Sequence, residues 1–167
     1  MVEAYVGLGS NMGDAEGCLR EALDALSRMP GALLDKVSPL YRTEPQGMAD
    51  QPWFVNAVAR LRCAPSWTAE LFLEALLATE TRLGRVRSSD PALRFGPRTI
   101  DLDLLLFGEE RRTSPRCTLP HPRLAQRAFV LVPLRDIAPR VIIADGITVT
   151  QALEALSYTT VGGKIYQ

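Results

Sequence analysis

Residues 98–104, with the sequence RTIDLDL, constrain this chain more than any other segment. Side chains of a β-strand alternate between its two faces, so Asp101 and Asp103 project from one face while the apolar residues between them project from the other. We therefore predict a strand over residues 99–107 that packs against a core on one face and carries two carboxylates on the other. Aspartate is unfavourable in strands, which favours a chemical use for this pair.

Two carboxylates on one strand face share a small volume and repel each other unless a cation lies between them. Hard divalent ions prefer carboxylate oxygens, and Mg²⁺ usually completes its coordination with water and substrate phosphates. A pair of such ions can hold both ends of a phosphoryl displacement. We expect Asp101 and Asp103 to bind metal; the alternative is the solvated polar face of an edge strand.

Arginine is concentrated around this strand, although the 167-residue chain has a formal net charge of zero. Ten arginines and five acidic residues lie between Arg82 and Arg127, so this window carries +5 and the rest of the chain −5. Because the guanidinium fork matches phosphate oxygens in pairs, the window favours an anionic ligand. For any single arginine, a solvated surface position remains the alternative. Nucleic-acid-binding domains are usually strongly basic overall, so we expect no nucleic-acid partner.

The arginines nearest the strand lie in two flanking segments. Residues 84–98 are too rich in glycine, proline and polar residues for a helix or strand, and predict a loop that could close over a polyphosphate. Residues 116–127 contain the single histidine, His121, which is either a ligand contact or a structural residue. The arginines singled out are Arg85, Arg87 and Arg98 in the first segment and Arg116 and Arg127 in the second.

Composition excludes several classes of protein. A hydrophobic content of 47% with 23% charged residues is ordinary for a globular chain and excludes a disordered one. No apolar run approaches the ~20 residues that span a bilayer, and the first residues do not resemble a secretory signal. Three scattered cysteines predict reduced thiols. We expect one cytoplasmic, monomeric domain over residues 1–167, without a membrane segment.

Hydrophobic periodicity predicts alternating strands and helices, and hence an α+β domain. Ser66 is the expected N-cap of the second long helix and Gly84 its end. A hairpin is expected around the turn at Asp145 and Gly146. The other predicted strands cover residues 2–8, 33–43 and 54–62, and the predicted helices cover residues 14–29, 66–83, 122–127 and 151–156.

Two familiar nucleotide-binding motifs are absent. Gly7 and Gly9 begin like a dinucleotide fingerprint, but Met12 stands where its third glycine is required. The chain also lacks the Gly-Lys-Ser/Thr of a P-loop. If the chain binds a nucleotide, metal ions held by carboxylates, together with arginines, must therefore take the place of a P-loop.

The chain resembles the 6-hydroxymethyl-7,8-dihydropterin pyrophosphokinase family over residues 4–145. The resemblance is carried by GPRTIDLD at residues 96–103, supported by GSN at 9–11, YRT at 41–43, DQP at 50–52, GRVR at 84–87 and PH at 120–121. It implies transfer of a pyrophosphoryl group from ATP to the pterin hydroxymethyl oxygen, with release of AMP, in folate biosynthesis. It further implies a ferredoxin-like α/β/α sandwich with a mostly antiparallel central sheet, and two Mg²⁺ ions.

The resemblance also implies a role for each matching residue. Asp101 and Asp103 would be the metal ligands, and Arg85 and Arg98 the catalytic arginines of the loop. The pterin would lie between the rings of Phe54 and Phe129, with its edge on Asn56. The remaining implied contacts are Thr43 and Phe95 for the pterin, and Glu80, Arg87, Arg116, Thr118, His121 and Arg127 for ATP.

Two other functions remain open from the residues alone. A non-catalytic ferredoxin-like module could bind RNA or a nucleotide through the same arginines, but this leaves Asp101 and Asp103 unexplained because they would repel phosphate without metal. An ordinary kinase, which transfers one phosphoryl group, is the second alternative. The products of the reaction distinguish the three functions.

Overall fold

A computed structural model of the chain describes residues 1–45, 50–84, 91 and 99–167. Within these ranges the chain forms eleven strands and four α-helices. The helices are α1 (Ala15–Ser27), α2 (Ala69–Arg82), α3 (Ala128–Ile137) and α4 (Val149–Glu154). The strands are β1 (Val2–Ser10), β2 (Ala32–Val37), β3 (Tyr41–Thr43), β4 (Phe54–Cys63), β5 (Asp101–Phe107), β6 (Arg112–Thr113), β7 (Thr118–Leu119), β8 (Ile142–Ala144), β9 (Ile147–Thr148), β10 (Thr159–Val161) and β11 (Lys164–Tyr166).

Seven of these strands form one mostly antiparallel sheet. Its order is β10-β11-β3-β4-β1-β5, and β2 pairs with β4 beside β3. The pairing of β11 with β3 is parallel, and the other pairings in the sheet are antiparallel. A mixed α/β fold with a mostly antiparallel sheet therefore confirms the broad fold class expected from the sequence. None of the helices described here is long and apolar enough to cross a membrane.

The strand alternation divides the apolar residues between two cores. Leu8 of β1 and Leu102 of β5 point to the first core, where Leu19 of α1 and Phe72 of α2 pack against the sheet. Val58 of β4 points the opposite way, into a second core that is formed with α3 and α4. Helices thus cover both faces of the sheet.

Strand β5 contains a β-bulge that changes which face its residues occupy. Val6 pairs with Leu104 and Tyr5 with Leu106, so Leu105 is an extra residue on β5. As a result, Leu105 and Leu106 both enter the second core, and Phe107 returns to the first. The bulge lies just beyond the part of the strand that carries Asp101 and Asp103.

The two long predicted helices are confirmed, with one correction. The Asp14 side chain caps α1 by accepting a hydrogen bond from the Gly17 N–H at 3.0 Å. The predicted N-cap of α2, Ser66, is wrong: the helix begins at Ala69, and Thr68 Oγ1 accepts from the Leu71 N–H at 3.2 Å. The chain still turns at Ser66, so the hydroxyl that caps the helix belongs to Thr68 and not to Ser66.

The predicted strand over residues 33–43 is two strands. Ser38 separates β2 from β3: its N–H donates to the Val58 carbonyl at 2.9 Å, and its Oγ accepts from the Val58 N–H at 2.9 Å. Pro39, which follows, has no N–H for a ladder. A serine therefore keeps both strands attached to β4 across a break in regular pairing.

Helix α3 and the hairpin of β10 and β11 were not predicted. The short helix expected over residues 122–127 is a 3₁₀ turn at Leu124–Gln126, and α3 begins directly after it. Most of α3 is apolar and buried, so its sequence lacks the polar stripe that identifies a surface helix. It also contains Pro133, a residue that is unfavourable inside a helix. The expected hairpin near Gly146 is confirmed as β8 and β9, and the expected final helix as α4, which begins at Val149.

Candidate active site

Two cavities meet at strand β5 and share Asp101 and Asp103 in their walls. The first has about 620 Å³ of empty space and the second about 750 Å³. Each of these volumes includes the open space at the mouth of the cavity. The first is lined by Thr43, Phe54, Asn56 and Phe129, the described residues predicted to bind pterin, and also by Arg127. The second is lined by Glu80, Arg116, Thr118 and His121, which are predicted to bind ATP.

Glycine in β1 makes room for the first cavity. Gly9 lies between Asn56 of β4 and Asp101 of β5 in the strand register, so the three residues face the same side of the sheet. A Cβ atom on Gly9 would come within 2.7 Å of Asn56 Oδ1. Gly7 occupies the next row, opposite Asp103. The absence of two side chains leaves a trough between an amide and a pair of carboxylates.

The amide of Asn56 is held in one orientation. Its Nδ2 donates a hydrogen bond to Thr43 Oγ1, and both side chains are buried. Oδ1 is then directed over Gly9. The side chain can thereby present an acceptor and the second amide hydrogen to the edge of a planar heterocycle.

Arg127 and Phe129 enter the first cavity from the start of α3. The Arg127 guanidinium carbon lies 5.4 Å from the centroid of the Phe129 ring, which is within cation–π distance. The sequence placed Arg127 with the ATP contacts, whereas the structure brings it beside the predicted pterin contacts and near the shared aspartates.

His121 is fixed in the second cavity by its neighbours. The backbone N–H of His121 donates to the Leu105 carbonyl at 3.0 Å. The ring Nδ1 accepts from the backbone N–H of Arg123 at 3.2 Å. The ring hydrogen is therefore on Nε2. Burial lowers the pKa of His121 to about 4; the charge of Arg127 adds to this shift, while that of Asp101 opposes it. At neutral pH the imidazole is an uncharged Nε2–H donor.

Glu80 links α2 to strand β5. Its side chain is almost fully buried, and Oε1 accepts from the Leu102 N–H at 2.7 Å, between the two aspartates. This contact gives Glu80 a structural role in the protein alone. The predicted contact between Glu80 and ATP stays a prediction.

Thr118 and Arg116 lie on the short β6–β7 hairpin at the mouth of the second cavity. Thr118 Oγ1 donates to the Ser114 carbonyl at 3.4 Å. Arg116 is 84% exposed and pairs with Glu74 at 3.9 Å. An ion pair this exposed contributes little to stability, so the guanidinium can turn toward an anion at small cost.

The aspartate pair fits a Mg²⁺ site but not a closed protein cage. Among the residues that the structure describes, no group of three or more His, Cys, Asp or Glu residues is arranged to hold a metal. Asp101 and Asp103 are half-buried on one face of β5, where both cavities reach them. Two carboxylates suit Mg²⁺, which keeps water and substrate oxygens in its shell.

Four predicted site residues lie outside the described residues. They are Arg85, Arg87, Phe95 and Arg98. Their assignments as catalytic, ATP-binding or pterin-binding residues remain predictions from the sequence.

Three residues of β1 and the loop that follows it were given no role in the site by reasoning from the sequence. Gly7 and Gly9 are compared with a dinucleotide fingerprint, and Gly9 also belongs to the GSN motif of the resemblance, but glycine inside a strand also marks a close approach of a ligand or neighbour. Asn11 ties the end of β1 to the following loop: its Nδ2 donates to Gln51 Oε1 at 2.9 Å and to the Pro52 carbonyl at 3.0 Å. The resemblance included Asn11 in its motifs but gave it no role.

Comparison with known proteins assigns the chain to a family. The family model described as 7,8-dihydro-6-hydroxymethylpterin-pyrophosphokinase (HPPK) matches residues 5–139. The chain belongs to the HPPK family. The match ends near the C-terminus of α3, so β8 to β11 and α4 lie beyond it.

Curated members of the HPPK family cover nearly the whole chain. A 2-amino-4-hydroxy-6-hydroxymethyldihydropteridine pyrophosphokinase of Pseudomonas aeruginosa is 47% identical over 156 residues, covering 92% of this chain and 91% of the relative. The protein of the same name from Methylorubrum extorquens is 43% identical, covering 93% of this chain and 94% of its own. That from Bacillus subtilis is 41% identical over 138 residues, covering 83% and 79%.

Solved structures of HPPK-DHPS proteins share the fold. A crystal structure of Plasmodium falciparum HPPK-DHPS superposes with a TM-score of 0.69 at 12% sequence identity, covering 92% of this chain and 45% of that chain. The chain thus spans a little under half of these longer proteins. At such low identity the likeness supports the HPPK fold and nothing more specific.

Proposed function

We propose that this chain transfers the pyrophosphoryl group of ATP to the hydroxymethyl oxygen of 6-hydroxymethyl-7,8-dihydropterin, forming the pterin diphosphate and AMP in folate biosynthesis. The observation that carries this proposal is the pair of cavities joined at Asp101 and Asp103. One cavity offers aromatic rings and an oriented amide, and the other offers phosphate donors. Membership of the HPPK family and the names of the relatives support the same reaction.

The first cavity binds the pterin in this proposal. The rings of Phe54 and Phe129 contact its two faces, because a flat heterocycle gains most from offset stacking on aromatic side chains. Asn56 contacts the polar edge and is held in place by Thr43. The trough at Gly9 admits the ring system, whose hydroxymethyl group points toward Asp101 and Asp103.

The second cavity binds ATP. His121 donates from Nε2 to a phosphate oxygen, and its neutral state makes this contact independent of pH near neutrality. Arg116 and Thr118 close on the nucleotide from the β6–β7 hairpin, and Arg127 reaches the phosphate chain from the pterin side. Glu80 holds β5 so that both aspartates stay directed at the junction.

Asp101 and Asp103 would hold Mg²⁺, and we propose two ions. Bound Mg²⁺ supplies positive charge that offsets the charge of the triphosphate. The chain's part is to fix the two carboxylates on one strand face, at the point where the hydroxyl and the phosphates meet.

The reaction is an in-line displacement at the β-phosphorus. The pterin hydroxyl oxygen forms the new P–O bond, and the bond from the β-phosphorus to the bridging oxygen of the α-phosphate breaks, so AMP leaves with that oxygen. The hydroxyl proton is released to solvent water in the same step. Such transfers depend on positioning and charge neutralisation, and Arg85 and Arg98 are proposed to contribute most when charge develops in the transition state.

Several further properties belong to the same proposal. Helices on both faces of a mostly antiparallel sheet support a ferredoxin-like α/β/α sandwich, formed by residues 1–167 as one domain. The balanced net charge supports small-molecule substrates rather than nucleic acid. The free cysteines, two of them buried, support a reducing, cytoplasmic setting, and we propose a monomer.

Product analysis tests the proposed function. The purified chain is incubated with ATP, Mg²⁺ and 6-hydroxymethyl-7,8-dihydropterin, and nucleotide and pterin products are separated by chromatography. AMP and pterin diphosphate in equal amounts are expected. ADP with a pterin monophosphate would show an ordinary kinase, and no turnover together with tight RNA binding would show a non-catalytic module. Omission of the pterin is the control for ATP hydrolysis.

A further inference from the structure

Helix α3 begins without a side-chain cap of its own. Arg127 is its N-cap residue and makes no capping hydrogen bond, although the first N–H groups of a helix have no partner within the helix. The next residue, Ala128, is completely buried. A buried N–H without a partner destabilises the folded protein, so a partner from elsewhere in the chain matters here.

Gln167 provides that partner from a distant part of the sequence. Its Oε1 accepts from the Ala128 N–H at 2.8 Å, and its Nε2 donates to the Gln126 carbonyl at 2.8 Å. One side-chain amide therefore joins the residues immediately before and after Arg127. It fixes the point at which the 3₁₀ turn becomes α3.

Gln167 is itself placed by strand β11. Ile165 of β11 is buried in the second core and pairs with Thr43 of β3. The ring of Tyr166 meets Trp53 edge-on, with centroids 5.3 Å apart, directly before Phe54 in the chain. Residues 164–167 thus contact the β3–β4 wall of the first cavity and the α3 wall opposite.

We infer that Gln167 is a positioning residue for the active site, acting through the start of α3 on Arg127 and Phe129. It touches neither cavity; it sets the direction in which these two side chains leave the helix. Without the Gln167 amide, the first turn of α3 opens. The Arg127 guanidinium and the Phe129 ring are then no longer held together beside the trough. The ligands named here rest on the proposed function, whereas the cap does not.

Two substitutions in matched helix caps test the inference. Gln167→Met keeps the length of the side chain but removes both hydrogen bonds. Gln151→Met removes a comparable cap from α4, where Gln151 Oε1 accepts from the Thr148 N–H at 2.9 Å. Since none of the residues of α4 lines either described cavity, Gln151→Met is the control for lost stability alone. Gln167→Glu retains an acceptor for Ala128 and is the conservative variant.

The first measurement is amide hydrogen exchange in the protein without ligands. Gln167→Met is expected to speed exchange at residues 128–130, and Gln167→Glu to restore most of the protection. The second is the Kd for the dihydropterin by titration calorimetry with a non-hydrolysable ATP analogue and Mg²⁺. Gln167→Met should raise this Kd about fivefold, the equivalent of a lost helix cap of ~1 kcal/mol. Gln151→Met should leave it at the wild-type value while lowering the Tm similarly.

The results separate the inference from the proposed function. Unchanged exchange and Kd in Gln167→Met, or an equal rise of Kd in Gln151→Met, would overturn the positioning role. Wild-type protein that binds no dihydropterin would overturn the proposed function instead, and exchange at residues 128–130 would then decide the role of Gln167.

Discussion

The Oδ1 atom of Asn56 lies only 2.7 Å from the position that a Cβ atom would take on Gly9. Of the two glycines that leave room for the first cavity, Gly9 is therefore the one next to the amide that Thr43 holds in place. An added methyl group must either displace the amide or fill the trough.

Gly9→Ala is expected to weaken dihydropterin binding by about tenfold or more, the effect of losing one oriented hydrogen-bonding contact to the ligand. Binding of an ATP analogue should change much less, because the second cavity does not include residue 9. Gly146→Ala, in the turn between β8 and β9, is the control for lost stability alone: Gly146 lines neither described cavity, and its positive φ makes the substitution destabilising. Calorimetry with each ligand checks this, and equal weakening by the two substitutions would contradict it.

Asp101→Asn and Asp103→Asn should each lower Mg²⁺-dependent turnover by at least about 10²-fold, because a carboxamide keeps the shape but loses the charge that binds a hard cation. Folding should survive, as both side chains lie half-buried at a cavity wall rather than in either core. Asp145→Asn, in the turn between β8 and β9, controls for the loss of one negative charge. Steady-state rates across a Mg²⁺ titration are the measurement, and retained activity would refute the metal assignment.

Arg85→Ala and Arg98→Ala are predicted from the sequence to lower kcat by about 10²-fold each while changing the Kd for ATP less than about threefold. Residues that act on developing charge affect the transition state more than the ground state. Arg140→Ala, at an exposed position before β8, controls for net charge. Comparing kcat with a directly measured Kd separates the two effects, and weaker ATP binding with an unchanged kcat would count against the catalytic role.

His121 makes the free protein sensitive to acid. Burial lowers its folded-state pKa to about 4, so between that pH and its usual value of 6.5 the unfolded chain binds more protons. Stability therefore falls as the pH drops through this window, by on the order of 1–2 kcal/mol after allowing for partial exposure.

His121→Gln should remove that part of the pH dependence. Urea unfolding at pH 7, 5.5 and 4.5, without metal or nucleotide, gives the free energy of unfolding for both proteins. The wild type is expected to lose more stability than the variant across this range and to match its pH dependence above pH 7. Parallel curves throughout would contradict the prediction.

Strands with clear alternation could be predicted from the sequence, and those whose partners decide their structure could not. β1, β4 and β5 were all expected, because β1 is mostly apolar and polar and apolar residues alternate along β4 and the first half of β5. β11 contains only Ile165 as a buried residue and is a strand because Thr43 lies beside it. Helix α3 was missed because burial on nearly all sides removes the periodicity that identifies a surface helix.

The candidate site shows the same division. Asp101 and Asp103 could be placed on one face from strand geometry alone, whereas the hydrogen bond of Glu80 to the Leu102 N–H joins residues 22 positions apart and leaves no local signal. The location of Arg127 beside the predicted pterin contacts depends on where α3 begins, and the hydrogen bond at that point comes from Gln167, 39 positions beyond Ala128.

The bulge at Leu105 divides β5 into two independent halves. In an uninterrupted strand, Phe107 would face the same side as Asp101 and Asp103. The face that suits the two aspartates would then also fix which core Phe107 packs into. The extra residue, Leu105, shifts the alternation so that Phe107 faces the other side. The Leu105 carbonyl accepts a hydrogen bond from the backbone N–H of His121. The inserted residue thereby allows the end of β5 that carries Asp101 and Asp103 to change in sequence separately from the end that packs in the core. It also holds the backbone of His121 beside the strand. Deleting Leu105 would disturb the core and the position of His121, the proposed nucleotide contact, at once.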